Sequence, residues 1–354
     1  MKALVLAGGS GTRLRPLTYT LPKQLVPVAN RPIIHYVMDH LAEAQITDVG
    51  VIVAPQTGDR IRAALEPNPW GFSLTYLPQD EPRGLAHAVL TARDFLGEEP
   101  FVMYLGDNLV SRGIAPLISE FQARKADAAV LLKQVSDPSR FGVVVVDGGG
   151  RIERLDEKPR EPQSDLALVG IYCFSPAIHE AVAAIAPSER GELEITDAIQ
   201  RLLEQGGRVF GARLEGWWLD CGKKDDLLEA NRVVLDEWIR PGVRGDVDAS
   251  SRIHGQVVVE KGARVRRSTV SGPAIVGAGS VVTDSFVGPY SSIGPNCTIT
   301  DSNVAQCVVL AGARIDGVAR LEDSIVGENA VVRRVSTGEP VVRLMIGEDT
   351  EVLL

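Results

Sequence analysis

The sequence predicts a doubly wound α/β domain followed by a parallel β-helix, and three observations carry the prediction. Apolar runs alternate with amphipathic stretches through the first 240 residues, a glycine cluster follows the first apolar run, and aliphatic residues recur six apart from Ile253 onward. A chain of 354 residues accommodates two such domains, expected at 1–240 and 241–354.

In the first part, KALVLA, VGVIVA (49–54) and FVMYLG (101–106) read as buried strands. Amphipathic stretches around 32–44, 57–65 and 84–95 separate them, which is the rhythm of a parallel sheet covered on both faces. Between 127 and 174 the strands AAVLL, GVVVV, RIERLDEK and ALVGIYCF come closer together and suggest an inserted mixed sheet. Helical patterns at 176–186, 194–205 and 223–238 complete the domain. Arg240-Pro241-Gly242 and the polar residues to Ser251 read as a linker.

Beyond it, Ile253, Val259, Val265, Val276, Val282, Val287, Ile293, Ile299, Val309, Ile315, Leu321, Val326 and Val332 keep the six-residue spacing, with interruptions where a corner shortens or lengthens. Sandwich strands keep period two over longer runs, so this spacing favours coils whose aliphatic residues stack on the next coil. The last segment, PVVRLMIGEDTEVLL, is expected to close the end of the helix or pack back on it.

Composition excludes several classes. With 45% hydrophobic and 23% charged residues the chain is globular, and a net charge of -9 argues against a nucleic-acid partner. The N-terminus lacks a leader pattern and no apolar run approaches a membrane span, so a cytoplasmic protein without a membrane partner is expected. Cys173, Cys221, Cys297 and Cys307 lack metal or disulfide spacing and are expected to be inert.

The chemistry begins at LAGGSGTRLRPLTYTLPK, Leu6 to Lys23. Gly8, Gly9 and Gly11 let backbone N–H groups approach phosphate oxygens, with Thr12 beside them, while Arg13, Arg15 and Lys23 offset a nucleoside triphosphate charge of about −4. A P-loop would need Gly-Lys-Ser/Thr where Gly11 is followed by Thr12-Arg13. The dinucleotide fingerprint fails because its third glycine position holds Leu14. Pro16 and Pro22 are expected to keep the segment extended.

Asp107, in Gly106-Asp107-Asn108, and Asp220, in Trp217-Trp218-Leu219-Asp220-Cys221-Gly222, both end apolar runs. Two hard oxygen donors of this kind suit Mg²⁺ bound mostly by substrate phosphates, although either alone could be a turn or cap aspartate. Gln79, whose amide offers a donor and an acceptor, and Gly84 are candidates for reading a nucleobase. Glu157-Lys158-Pro159 ends a strand. An adjacent acid and base would point to opposite faces there unless Pro159 frees the geometry.

The string GGSGTRLRPLT followed by Pro22-Lys23 resembles the signature of the sugar-1-phosphate nucleotidyltransferases, closest to the long-form glucose-1-phosphate thymidylyltransferases, and the resemblance runs along the whole chain. It implies a Rossmann-like nucleotidyltransferase domain, a left-handed β-helix with hexapeptide repeats, and condensation of dTTP with glucose 1-phosphate to dTDP-glucose and pyrophosphate. Asp107 and Asp220 match the family's metal ligands, so Mg²⁺ is the implied cofactor. Leu6, Gly8, Gly9, Gly11, Thr12, Arg13, Gln79, Gly84 and Asp107 fall on the nucleotide side. Gly142, Glu157, Lys158, Val169, Gly170 and Arg190 fall on the sugar-phosphate side, with Glu194 a further sugar ligand or a first-turn helix acid. Arg13, Lys23, Asp107 and Lys158 are the implied catalytic residues, with Arg15 peripheral. Phe141 departs from the tyrosine that some relatives carry, and Cys221 from the threonine common in the motif.

A sugar phosphate is already a nucleophile at neutral pH, so alignment and charge neutralisation suffice, with no covalent intermediate. UTP or another nucleotide is the alternative substrate, and a non-catalytic nucleotide-sugar-binding subunit is the non-enzymatic alternative. An acyltransferase role is less favoured, since His254 is the one histidine of the repeat region. The β-helix is expected to mediate homo-oligomer contacts or to close over the catalytic domain.

Overall fold

A computed structural model describes residues 1–9 and 11–334, so the expectation for PVVRLMIGEDTEVLL lies outside the described residues. The elements up to residue 237 are β1 (Lys2–Ala7), β2 (Pro27–Val28), β3 (Arg31–Pro32), α1 (Ile33–Glu43), β4 (Asp48–Val53), α2 (Gly58–Leu65) and β5 (Ser73–Pro78). They continue with α3 (Leu85–Thr91), α4 (Arg93–Leu96), β6 (Phe101–Leu105), β7 (Asn108–Val110), α5 (Ala115–Ala123), β8 (Ala128–Gln134), β9 (Gly142–Val146) and β10 (Ile152–Glu157). The run closes with β11 (Leu166–Phe174), α6 (Ile178–Ala184), α7 (Ile195–Glu204), β12 (Val209–Arg213), β13 (Trp218–Asp220) and α8 (Lys224–Glu237). By their contacts the residues form two units. The first contains Met1–Ser10, Thr20–Leu25 and Ile33–Asp220, and the second contains Gly11–Tyr19, Val26–Pro32 and the chain from Cys221 onward.

The first unit is built on one sheet in the order β10-β9-β11-β6-β1-β4-β5, with β8 paired to β11 and β12. Strands β6, β1, β4 and β5 are parallel, so their carboxyl ends share one edge. Alternation along β1 divides the core between the two faces. Leu4 and Leu6 join Ala86, Val89 and Ile199 on one side, while Ala3, Val5 and Ala7 join Val37, Leu41 and Ile61 on the other.

The strands from 127 to 174 are not a separate inserted sheet. They extend the central one, because β11 runs antiparallel to β6 through Ile171–Phe174 and also pairs β8 and β9. All nine residues of β11 are buried, and Gly170, at φ +62°, lies in the register shift between Leu168 and Tyr172 that lets one strand serve these neighbours.

In the second unit the chain winds into three parallel sheets of a left-handed β-helix. Val259 stacks on Val276 and Val276 on Ile293, Val265 on Val282 and Val282 on Ile299, and Val270 on Val287 and Val287 on Val304. The step from Val265 to Val270 is the shortened corner that broke the six-residue spacing. Residues 240–251 are not a linker. Gly242–Val243 and Asp246–Val247 already pair with Val258–Val259 and Arg264–Val265, and their polar composition reflects exposure on the first coil rather than disorder.

One corner carries a hydroxyl ladder that aliphatic spacing does not reveal. Ser268 Oγ accepts from Ser285 N at 3.0 Å, and Ser285 Oγ accepts from Ser302 N at 3.1 Å.

Buried Asn231 on α8 ties the second unit's dispersed pieces together. Its Oδ1 accepts from Ala29 N (2.9 Å) and Ser292 Oγ (2.6 Å), and its Nδ2 donates to the Tyr290 carbonyl (3.0 Å). Asn30 donates to the Ile293 carbonyl at 2.6 Å. The segment 11–25 is not extended. Three short 3₁₀ turns occupy Thr12–Leu14, Leu17–Tyr19 and Lys23–Leu25; Gly11 opens the first, and Pro16 and Pro22 open the others, since a proline's fixed φ opens a turn as readily as it extends a chain. Their carbonyls accept from Tyr19 N at 3.2 Å and Leu25 N at 2.8 Å.

The four cysteines are buried thiols, and burial pushes the Cys173 thiol far up. Among the described residues, no helix is long and apolar enough to cross a membrane.

Candidate active site

The site of the first unit lies at the carboxyl edge of β1, β4, β5 and β6, where open sheets bind ligands. Gly8 follows β1, Gln79 follows β5, and Gly106-Asp107 follows β6. Gly106 N donates to the Leu6 carbonyl at 3.0 Å, and a Cβ at Gly106 would stand 2.8 Å from that oxygen, so the strand ends approach without room for a side chain. Lys23 lies along Gly9, its Cε 3.4 Å from where a Gly9 Cβ would be, and its ammonium forms an ion pair with the buried Asp107 carboxylate. The aspartate is 4% exposed.

Asp220 reaches the same region through the β7–β13 pair, in which it stands opposite Asn108. Asn108 locks this pair, donating to Asp107 Oδ1 (3.4 Å) and accepting from Trp218 Nε1 (2.6 Å). Among the described residues, no three His, Cys, Asp or Glu side chains are grouped to hold a metal by themselves. Two hard carboxylate donors, one in the turn before β7 and already paired with a cation and one at the end of β13, fit a divalent metal whose other ligands come from phosphates and water.

The sugar-phosphate candidates form a second cluster in this unit. Lys158 stands just past β10 at φ +42°, outside the strand alternation, and its Nζ turns back to Glu157 Oε1 at 3.2 Å. Acid and base therefore face the same space. Glu157 Oε2 also accepts from Thr196 Oγ1 at 3.2 Å, and Arg190 Nη2 lies 3.5 Å from Glu157 Oε1. Arg190 is held mainly by Glu194, at 2.7 Å, whose buried carboxylate also accepts from Ser188 Oγ at 2.8 Å. Glu194 occupies the N-cap of α7 without capping it through its side chain, so its carboxylate serves the arginine.

Three glycines are explained by close approach. A Cβ at Gly84, which has φ +102°, would fall on the Leu193 backbone, where Leu193 N donates to Arg83 O at 2.7 Å. One at Gly142 would stand 3.2 Å from Glu157 Oε2, and one at Gly170 would stand 3.2 Å from Asn108 Oδ1. The Val169 side chain belongs to the core, leaving only its backbone for a ligand.

The remaining loop residues belong by their contacts to the second unit. Gly11 is left-handed (φ 60°), its carbonyl accepts from Thr18 Oγ1 at 2.6 Å, and it opens the turn that carries Thr12 and an exposed Arg13. Arg15 lies over the Tyr19 ring, 4.9 Å from its centroid, in keeping with a peripheral charge. The sequence reading missed Thr196, Ser188 and His87, of which only His87 had a local signal, three positions after Gly84 in the first turn of α3. It also missed Gln24, which is 1% exposed, packs its side chain against Gly106 and leaves Oε1 without a protein partner.

A glycine loop, a lysine-paired carboxylate and a cluster of acids and bases around Glu157 on a doubly wound sheet are the features of a nucleotide-transferring enzyme. The chain belongs to the nucleotidyl transferase family, which matches residues 2–237 and whose members use a divalent metal. Over 353 residues it is 50% identical to a glucose-1-phosphate thymidylyltransferase of Streptomyces antibioticus, with 99% of each chain covered. A Streptomyces griseus enzyme of the same name is 49% identical over 348 residues, with 98% of each covered. Among solved structures, it is similar to a Bacillus anthracis protein described as a glucose-1-phosphate thymidylyltransferase in complex with sucrose. That match has a TM-score of 0.63 and 37% identity, over 68% of this chain and 97% of the other.

Proposed function

We propose that the protein condenses dTTP with α-D-glucose 1-phosphate, releasing pyrophosphate and dTDP-glucose for dTDP-deoxysugar synthesis. The observation that carries this reading is the Lys23–Asp107 ion pair beside Gly9 at the carboxyl edge of the sheet, in a chain whose full-length relatives bear the name of that reaction. Leu6, Gly8, Gly9, Gly11 and Thr12 present backbone to the triphosphate, while Arg13 and Lys23 offset its charge. Gln79 reads the base beside Gly84. Glu157 accepts sugar hydroxyls, Lys158 and Arg190 hold the sugar phosphate, and the backbones of Gly142, Val169 and Gly170 line the sugar. Asp107 and Asp220 would hold Mg²⁺, which supplies charge neutralisation at the phosphates.

The sugar-phosphate oxygen is ionised at neutral pH and attacks the α-phosphorus directly. The new O–P bond forms as the bond to pyrophosphate breaks, so no protein nucleophile or general base is required. Residues 1–240 would carry this chemistry, and 241–354 would serve homo-oligomer contacts.

A pyrophosphate-release panel tests the reading, with dTTP, UTP, GTP and ATP set against glucose, galactose, mannose and glucosamine 1-phosphates in MgCl₂. The highest kcat/KM is expected for dTTP with glucose 1-phosphate and the next for UTP, because one methyl group is worth only about 1–3 kcal/mol in an apolar site. Release with no pair would favour a regulatory subunit, and retained configuration at the α-phosphorus would exclude direct displacement.

A further inference from the structure

Gln79 is 7% exposed, and its amide lies between the glycine loop and α3. Oε1 lies against the glycine loop, 3.3 Å from where a Gly8 Cβ would stand, and Nε2 lies 2.8 Å from His87 Nδ1. The imidazole sits in the first turn of α3, half-buried. Burial first, and then the Arg83 guanidinium, hold its pKa below the ordinary histidine value, with Glu81 opposing. An amide nitrogen can only donate, so with Nε2 facing Nδ1 the contact calls for the neutral tautomer that carries its proton on Nε2, in which the Nδ1 lone pair accepts.

This polarity matters because a primary amide has nearly the same shape when turned over, while its donor and acceptor exchange places. With Nε2 toward His87, the edge left for a ligand is the Oε1 acceptor beside the second Nε2 hydrogen. A thymine or uracil edge complements it, since N3–H donates to Oε1 and a neighbouring carbonyl accepts from Nε2. Cytosine presents the opposite pattern, with N3 an acceptor and the exocyclic amine a donor. Reading cytosine would require the amide to turn, bringing Oε1 to Nδ1, where the contact survives only if the imidazole also moves its proton from Nε2 to Nδ1.

We propose that His87 is the positioning residue that sets base specificity, fixing the Gln79 amide in the orientation that accepts a pyrimidine with an N3–H and rejects cytosine. The proposal rests on the reading of Gln79 as the base-contacting residue. His87 itself touches no substrate and acts through the amide.

The test compares kcat/KM for dTTP, UTP and dCTP with glucose 1-phosphate, and calorimetric affinities for dTTP and dCTP, in the full-length protein and three variants. His87→Leu removes the acceptor at similar volume, and His87→Asn restores an acceptor through its side-chain oxygen. In His87→Leu the preference for dTTP over dCTP should fall about tenfold or more, the scale of an unmade hydrogen bond to a buried group. The loss should lie in KM and affinity, with kcat at saturating dTTP within about twofold, and His87→Asn should recover most of the preference. A dTTP/dCTP ratio unchanged in His87→Leu, or an equal loss in both His87 variants, overturns the proposal. Gln79→Ala separates the two readings. If it leaves dTTP affinity intact, Gln79 does not read the base and both fall. If it weakens dTTP while His87→Leu leaves the ratio alone, only the role of His87 falls.

Discussion

The β-helix and the sheet edge solve opposite problems with similar residues. In the β-helix each interaction is repeated: Val259, Val276 and Ile293 form one column, and Ser268, Ser285 and Ser302 form another. At the sheet edge nothing repeats. Lys23 and Asp107 are partners separated by a long stretch of chain, and so are Gly84 and Leu193. Repetition spreads stability over many equivalent contacts, so losing one is tolerated. A site concentrates its effect in a few groups whose loss has no substitute.

The largest expected effect breaks the site alone. Asp107→Asn keeps the volume but removes the charge that balances Lys23 and would serve a metal. The value of kcat should fall about 10²–10³-fold, the usual cost of losing one electrostatic contact made in the transition state. Steady-state pyrophosphate release measures it. A smaller effect is expected from the ladder. Ser285→Ala leaves Ser302 N without its 3.1 Å acceptor and should cost about 1–2 kcal/mol of stability, read from urea unfolding, with kcat unchanged. A loss of activity out of proportion to stability would show that the coils do more than stack.

The smallest effect concerns pH and the sheet core. His40 lies buried with its Nδ1 3.1 Å from the Tyr104 hydroxyl, and burial lowers its pKa while Asp39 opposes. The unfolded chain therefore binds a proton below about pH 6.5 that the folded chain resists. Stability from this group is complete above that pH and is lost as the pH falls through the folded value. Thermal unfolding at pH 7.5 and 5 should show the decline, and His40→Phe should flatten it.

What the sequence disclosed follows the same division. The continuous apolar run of β1 and the six-residue spacing beyond Ile253 are local patterns, and both led to the observed strands. The glycine cluster after Ala7 marked the sheet edge for the same reason. The left-handed backbone of Lys158, which turns it toward Glu157, had no such pattern. Nor did the approach of Gly84 to Leu193, or the hydrogen bond of His87 to Gln79. These depend on where other elements bring the chain, and no local periodicity encodes a partner on another element. The turns at 17–19 and 23–25 were misread because proline's φ suits a turn and an extended chain equally.

The membership of the two units has a further consequence. Before Ile33 the polypeptide changes unit four times, with Gly11–Tyr19 and Val26–Pro32 grouping with residues that arrive only from Cys221 onward. No single cut in the gene separates the two units. The hairpin that meets Asn231 and the turn that carries Arg13 group with the coils, so a transplant of the coils into another sheet protein would have to bring those front segments too.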